Sequence, residues 1–503
     1  MKKGVSDLKK AMPLTHISKI ATGIVVLLVL LTAMLVTDSR FTVLDDEAQI
    51  TTAARAPAEE TVKLFVWGAG QHEHPPLSDL VLHYWLPFAS NPTLLRLPFI
   101  LLYGAALLLF AMLARQFGGD AAFLALLVMG AFWSFGFHFG RMVGWYSFTF
   151  FAVALVTLAY VHWLRQPDWT RWWFLIGASA LLVLSNYFGW AILGLLSIDA
   201  VFVLGWRRAY KFFVAGTLVL AAVYAPLWRV FSQELHSGIS FSANELVTRT
   251  VYAAYNAYVL FVSESVAPWY WHFSIPISLA IALCLISTCL LLNRSRALAF
   301  LAYFGGLFLF MLASGILNVK RLLFITGWLL VPIAVAVAQR GRARLVLVFA
   351  LISIAISGAT GTIARKYYAS LHFIEPWYQI ALEAAPLVRN GTSIVTNSPS
   401  FLFYLNRVLD PDALPGFIEN SHVVFLDADK VFTGFGGPVF FVRGTNINAI
   451  HETAEAQSWL GLNCTLLSTD VRMIDTAYAL KKRYFKQLVE SPYRIVLESY
   501  RCP

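Results

Sequence analysis

Long apolar runs recur along this chain from residue 20 to residue 363, and most of the short loops on one side of them carry Lys or Arg. A run of about 17–25 apolar residues crosses the hydrocarbon of a bilayer as a helix, because only helices and closed barrels satisfy every backbone N–H and C=O without water. The chain is thereby confined to a polytopic α-helical membrane protein. Composition agrees: 58% of its 503 residues are hydrophobic and 13% charged, with a mean hydropathy of +0.67, outside the range of soluble domains.

The runs fall at 20–36, 94–115, 120–138, 144–164, 171–186, 189–205, 210–231, 272–292, 297–317, 320–338 and 344–363, so about eleven transmembrane helices are expected. The first follows Lys2, Lys3, Lys9, Lys10 and Lys19 and has no small-x-small cleavage site, which predicts a retained anchor with its N-terminus in the cytoplasm. Counting from there, the inward loops hold Arg115, then Arg165 and Arg171, then Arg207, Arg208 and Lys211, then Arg294 and Arg296, then Arg340, Arg342 and Arg344. Every one is basic, as the positive-inside rule asks. The net charge of +10 is therefore topology, and no continuous basic face with interleaved aromatics points to nucleic acid. The stretch 76–90 is short for a span, and counting it as one would invert the charge pattern, so an interfacial helix is expected there.

Three regions stand outside the bilayer on this count: a first loop, 38–93, a mid-chain loop, 232–271, and everything after 365. The expected domains are a membrane catalytic module, 1–365, and an extracytoplasmic domain, 366–503. In the latter, strand-like runs at 393–396, 422–426, 439–442 and 494–497 alternate with helix-like ones such as 449–460, the pattern of a small α/β domain. Cys284 and Cys289 lie within a span as core residues, while Cys464 and Cys502 lie where a disulfide is permitted and would pin the C-terminal strand.

Two polar clusters interrupt the first loop. Asp45, Asp46 and Glu47 follow the first span, and by themselves read as a hydrated helix start with Asp at the N-cap and Glu in the first turn. Gln71, His72, Glu73 and His74 then precede Pro75-Pro76-Leu77, where the double proline fixes a rigid turn. Cations stand at outward helix ends, where the positive-inside rule does not put them: Arg96, Arg141, Lys320 and Arg321. Snorkelling to lipid headgroups explains one or two; four of them, with a carboxylate-bearing loop on the same side, point to an anionic ligand, of which a phosphate is the obvious example.

An Asp-Glu pair (Asp46, Glu47) just after the first span, His-Pro-Pro-Leu from His74, Arg-Leu-Pro from Arg96 opening the next span, and a basic pair (Lys320, Arg321) opening a late span together resemble the polytopic GT-C glycosyltransferases. The similar branch holds the protein O-mannosyltransferases and the bacterial aminoarabinose transferases of lipid A. The resemblance is best over 41–190 and 318–332. It implies a GT-C fold and an enzyme that moves a sugar from a polyprenyl-phosphate carrier to a lipid, glycan or protein acceptor on the outer face of a bacterial inner membrane, with the C-terminal domain periplasmic. It also implies roles: Asp46 as the catalytic carboxylate with Glu47 beside it, Lys320 and Arg321 at the donor phosphate, and Glu73, His74, Arg96 and Arg141 as further substrate-binding residues. The chain departs from the pattern at Ala48 and Gln49, where relatives often carry an aromatic, and after Arg141, where Trp145 and Tyr146 follow without an acid.

The residues fit that chemistry on their own terms. A sugar bonded to phosphate already has a good leaving group, so one carboxylate can deprotonate an acceptor hydroxyl while cations stabilise the departing phosphate, with inversion at the sugar carbon. No cofactor is demanded; a divalent metal is possible through Asp45, His72 and Glu73, although their spacing matches no strong ligand signature. The rival readings are a transporter or flippase, whose unusual charges belong near the bilayer midplane, whereas here they stand at outer ends and Asp199, the clearest acid within a span, lies near an inner end, and a glycan ligase or polymerase using a similar donor. Asp427-Ala428-Asp429 reads as a solvated strand end and Gly434 to Pro438 as a turn. Tyr252, Tyr255 and Tyr258, at helical spacing, read as an interfacial aromatic belt in preference to a sugar-stacking surface.

Overall fold

The computed structural model describes residues 12–67, 75–227, 245–292, 295–416, 422–426, 436–445, 447–484 and 492–503. Two compact units divide the chain: residues 1–36, 58–81 and 96–369 form one, and residues 37–57, 82–95 and 370–503 the other. The first outer loop is thus shared between them, its opening segment belonging to the same unit as the C-terminal domain.

Helices make up the first unit: α1 (Met12–Val36), α2 (Asp45–Ala53) being assigned to the second unit, then α3 (Ala58–Trp67), α4 (Leu77–Trp85), α5 (Pro92–Phe132), α6 (Ser134–Phe139), α7 (Trp145–Arg165), α8 (Trp169–Ser185), α9 (Gly189–Leu204), α10 (Trp206–Tyr224), α11 (Glu245–Val262), α12 (Trp271–Leu291), α13 (Ala299–Ala313), α14 (Thr326–Ala338) and α15 (Arg342–Ala364). Among the described residues, eight helices are long and apolar enough to cross a membrane, and α8 and α9 are shorter apolar ones. The 41-residue α5 contains two of the expected spans: Gly119, at φ 69° and ψ −165°, breaks the helical course where the sequence falls from one run to the next. The expected span 120–138 stops at Phe132, because Trp133 turns extended and a separate short helix, α6, follows. The helix expected over 76–90 is α4 with a 3₁₀ turn, Leu86–Phe88, and at nine residues α4 is too short to span.

Burial sorts the spans. The windows of Trp145–Arg165 and Lys320–Ala338 are 78% and 83% buried, whereas those of Ser18–Val36, Trp206–Leu227 and Arg342–Ala364 are only 22–28% buried. The first pair forms the centre of its unit, joined where Trp328 Nε1 donates to Thr157 Oγ1 at 2.9 Å. The peripheral helices leave Leu28, Leu218 and Ile363 largely exposed, a surface suited to lipid and costly in water. Close packing fixes the centre: a Cβ on Gly327 would lie 2.1 Å from the Phe110 ring.

The second unit contains α2 and, from its C-terminal stretch, α16 (Trp377–Arg389), β1 (Ser393–Thr396), α17 (Pro399–Leu409), β2 (Val423–Phe425), β3 (Gly437–Gly444), α18 (Ile447–Asn463), β4 (Thr465–Ile474), α19 (Tyr478–Tyr484) and β5 (Arg494–Cys502). The sheet order is β2-β1-β3-β5-β4, with β1 parallel to β2 and β3, and β5 antiparallel to β3 and β4. Val395, Leu426, Val439, Phe441, Leu460 and Tyr500 form its core. Cys464 and Cys502 are joined in a disulfide that ties the start of β4 to the end of β5. The four expected strands are present, but β4 was not expected. It is an edge strand exposed along nearly its whole length, so it carries no alternation of buried and solvated side chains.

Candidate functional site

The three consecutive carboxylates after the first span all lie in the first turn of α2, and the fold uses them differently. Glu47 is fully buried, and its Oε2 accepts the backbone N–H of Leu44 at 2.8 Å, closing the helix on itself. Asp45 reaches the start of α17, where its Oδ1 accepts the N–H of Ser400 at 3.0 Å and the Ser400 hydroxyl at 2.7 Å, with the Ser398 hydroxyl at 3.4 Å. Ser398 is itself the N-cap of α17, accepting the N–H of Phe401, so Asp45 completes the satisfaction of that helix's orphan N–H groups. Asp46 lies between the two and is half-buried. Of the three acids, it is the one placed between two carboxylates committed to helix ends.

The segment leading into α2 is strapped along its length. Thr42 N donates to Phe373 O at 3.3 Å, Thr42 Oγ1 to Glu375 O at 2.7 Å, and Val43 N to the Tyr404 hydroxyl at 2.9 Å. Glu375 is buried and saturated: its Oε1 accepts from Tyr493 at 2.5 Å and lies 2.7 Å from His372 Nδ1, and its Oε2 accepts from Trp377 Nε1 at 2.6 Å. Burial pushes the Asp45 carboxyl up and the Glu375 charge adds to this, with His372 and Ser400 opposing. Burial acts on Glu375 in the same direction, but His372 and the hydrogen bonds from Tyr493 and Trp377 outweigh it and hold its carboxyl below the usual range. None of Glu375, Ser398, Ser400 and Tyr404 was singled out from sequence. Ser398-Pro399 is a legible helix start, but nothing local names the acid that docks on it.

In the first unit the four cations expected at outward helix ends separate into two kinds. Arg96 and Arg141 are each 2% exposed, so neither snorkels to headgroups. Arg141 donates from Nε to Phe137 O at 2.9 Å and from Nη1 to Met34 O at 3.2 Å, and its guanidinium lies 4.4 Å from the centre of the Phe137 ring. Both carbonyls belong to last turns of helices, α6 and α1, where unsatisfied C=O groups and the helix dipole favour a cation. His138 sits beside it, with Nδ1 2.7 Å from Ser263 Oγ and Nε2 3.1 Å from the Tyr368 hydroxyl. Lys320 and Arg321, by contrast, are half-buried on the 3₁₀ turn Lys320–Ile325 that leads into α14. Asn318 Oδ1 accepts the N–H of Lys320, and Arg321 Nη1 donates to Ile316 O at 3.1 Å while its guanidinium stands 5.7 Å from the centre of the Phe188 ring.

The mid-chain tyrosines face the protein. Tyr258 is buried, Tyr252 and Tyr255 are half-buried and stacked at 6.3 Å, and the Tyr255 hydroxyl donates to Glu264 at 2.7 Å. Burial raises the Tyr252 hydroxyl, with Asn256 and Arg321 opposing the shift and Glu264 adding to it. Glu73 and His74, with Gln71 and His72, lie outside the described residues, as do Asp427 and Asp429. Among the described residues, no group of three or more His, Cys, Asp or Glu side chains could hold a metal ion.

No family model matches the chain, and no curated protein matches its sequence. Solved structures do: the apo crystal structure of ArnT from Cupriavidus metallidurans aligns over 95% of this chain and 97% of that one, at 14% identity and a TM-score of 0.53. The chain has the fold of that ArnT. The crystal structure of the same ArnT bound to undecaprenyl phosphate aligns over the same shares at 15% identity and a TM-score of 0.51. That fold, many apolar helices followed by a small C-terminal sheet domain, is the architecture expected from the sequence.

Proposed function

We propose that this protein is a glycosyltransferase that moves a sugar from a polyprenyl-phosphate carrier to an acceptor hydroxyl on the outer face of a bacterial inner membrane, with inversion at the sugar carbon. The observation that carries this is the acidic triplet that opens α2, in which Asp45 and Glu47 serve helix ends and Asp46 stands where the resemblance puts the catalytic carboxylate. The shared fold supports it, since an ArnT of this architecture binds undecaprenyl phosphate.

In the proposed reaction Asp46 accepts the proton of the acceptor hydroxyl as its oxygen attacks the anomeric carbon from the face opposite the phosphate. The C–O bond to phosphate breaks with both electrons on oxygen, and the polyprenyl phosphate leaves with its charge offset by Lys320 and Arg321. Arg96, Glu73 and His74 remain further substrate-binding candidates, and a divalent metal is not required by the scheme. The basic inward loops support a cytoplasmic N-terminus and a periplasmic C-terminal domain.

Mass spectrometry of polyprenyl-phosphate glycolipids and envelope glycans, in cells with the native or the Asp46→Asn chain, tests the proposal. One sugar-phosphate lipid is expected to accumulate in the variant, with loss of that sugar from one envelope component. Unchanged lipids and glycans at normal protein abundance would overturn it and favour a transporter.

A further inference from the structure

We infer that Asp45 is a positioning residue for Asp46, and that residues 373–404 act through it and its neighbours as a strap that sets where the candidate base stands. This rests on the proposed function. The residues immediately before Asp46 are tied to that stretch at Thr42, Val43 and Asp45, by the bonds to Phe373 O, Glu375 O, the Tyr404 hydroxyl and Ser400. The helix that carries Asp46 is nine residues long, too short to hold its own orientation in water, so its direction comes from these tertiary bonds. Asp45 is the last of them and adjoins Asp46. With Oδ1 shared among Ser398 and Ser400 donors, its carboxylate is committed to α17 and is poorly placed to take a proton from a substrate. The groups that face it are Ser398 and Ser400 from α17, Glu375 and His372 from the segment before α16, and Tyr493 from the segment before β5.

The role is geometric, so an oxygen acceptor at residue 45 should suffice and a charge should not be needed. Asn keeps that acceptor and Ala does not. At residue 46 the opposite holds, because a base needs the carboxylate itself.

The test uses the full chain in membranes at matched protein levels. It follows by mass spectrometry the rate at which the total polyprenyl-phosphate fraction loses carrier-linked sugar, and measures the affinity of purified protein for undecaprenyl phosphate alone. Asp45→Ala is expected to slow transfer by about 10- to 100-fold, the scale of a small misplacement of a catalytic group, with undecaprenyl phosphate affinity unchanged. Asp45→Asn is expected to stay within about threefold of the native rate, whereas Asp46→Asn loses transfer. Native-like transfer by Asp45→Ala, or an Asp45→Asn chain as inactive as Asp46→Asn, would overturn the positioning role while leaving the proposed function standing. Native-like transfer by Asp46→Asn would instead overturn the function. If Asp45→Ala does not fold, Ser400→Ala decides: it removes one of the donors, and a rate equal to the native one would count against the strap.

Discussion

The backbone N–H of Ser400 donates to Asp45 Oδ1 at 3.0 Å, across 355 residues of sequence. A carboxylate from the first outer loop therefore completes the N-terminus of a helix in the C-terminal domain. The loop and that domain belong to one compact unit, which the linear order of the chain conceals. Its consequence is that a change in the C-terminal segment can reach the candidate base without touching the membrane helices.

Asp45 also carries a signed pH prediction. Its carboxyl is raised by burial and by Glu375, so the folded state holds the proton more tightly than the unfolded state does. Ionised Asp45 thus costs stability above its folded pKa, and the cost fades as pH falls through that value toward the ordinary one. Asp45→Asn, which mimics the neutral form and keeps an acceptor for Ser400, is expected to melt at a higher temperature than the native protein at pH 7, with the difference shrinking as pH is lowered. Thermal melts of the purified protein from pH 7 to pH 4 check this; a lower melting point for the variant at pH 7 contradicts it.

Glu375 should behave with the opposite sign. Its carboxyl is held below the usual range by His372, Tyr493 and Trp377 against the effect of burial, so its contribution is present above the ordinary carboxylate value and is lost as pH falls through the folded one. Glu375→Gln is expected to lower the melting temperature at pH 7, and the deficit should narrow under acid conditions. A pH-independent deficit would mean that lost packing, and not ionisation, sets the effect.

Glu47 is expected to matter for stability more than for chemistry. Replacing it by Ala leaves the buried N–H of Leu44 without its acceptor, at a cost of about 1–3 kcal/mol, whereas Gln retains an oxygen and most of the cap. Chemical denaturation of the two variants, paired with the transfer assay, separates these roles: Glu47→Gln should fold and transfer sugar, and a folded but inactive Glu47→Gln would restore Glu47 to the catalytic group.

What the sequence made legible was whatever repeats or alternates. Apolar runs and their basic loops located the membrane helices, and buried strands such as Ile394-Val395 announced themselves by composition. β4 gave no such signal, because neither of its faces is buried and Leu466, Leu467 and Val471 stand in solvent. The acidic triplet was legible as a place where chemistry could occur, but not as three different jobs, since partners such as Ser400 lie far along the chain. Tyr252, Tyr255 and Tyr258 read as an interfacial aromatic belt, and a helical stripe of aromatics does not reveal which polar partners its hydroxyls find. In the structure the Tyr255 hydroxyl donates to Glu264.

The four cations expected at outward helix ends are indistinguishable in sequence, and the burial of Arg141 and Arg321 predicts opposite phenotypes for these two. Arg141 is enclosed and bridges Met34 O and Phe137 O, two carbonyls at helix C-termini. Losing it leaves two enclosed carbonyls without their donor, at a cost of about 1–3 kcal/mol, and Lys should not rescue, because a single ammonium on a flexible stem cannot reproduce the planar fork that meets both acceptors. Arg321 is half-buried and makes one weakly enclosed backbone contact, so Arg321→Ala should change stability by less than about 1 kcal/mol. If it binds the donor phosphate, the same variant should weaken undecaprenyl phosphate binding by about tenfold, the scale of one charge-assisted hydrogen bond lost. Melting temperature and lipid affinity measured on both variants decide the assignment. An Arg321→Ala chain that binds undecaprenyl phosphate as the native chain does, together with an Arg141→Lys chain that melts normally but no longer binds it, would exchange the two roles.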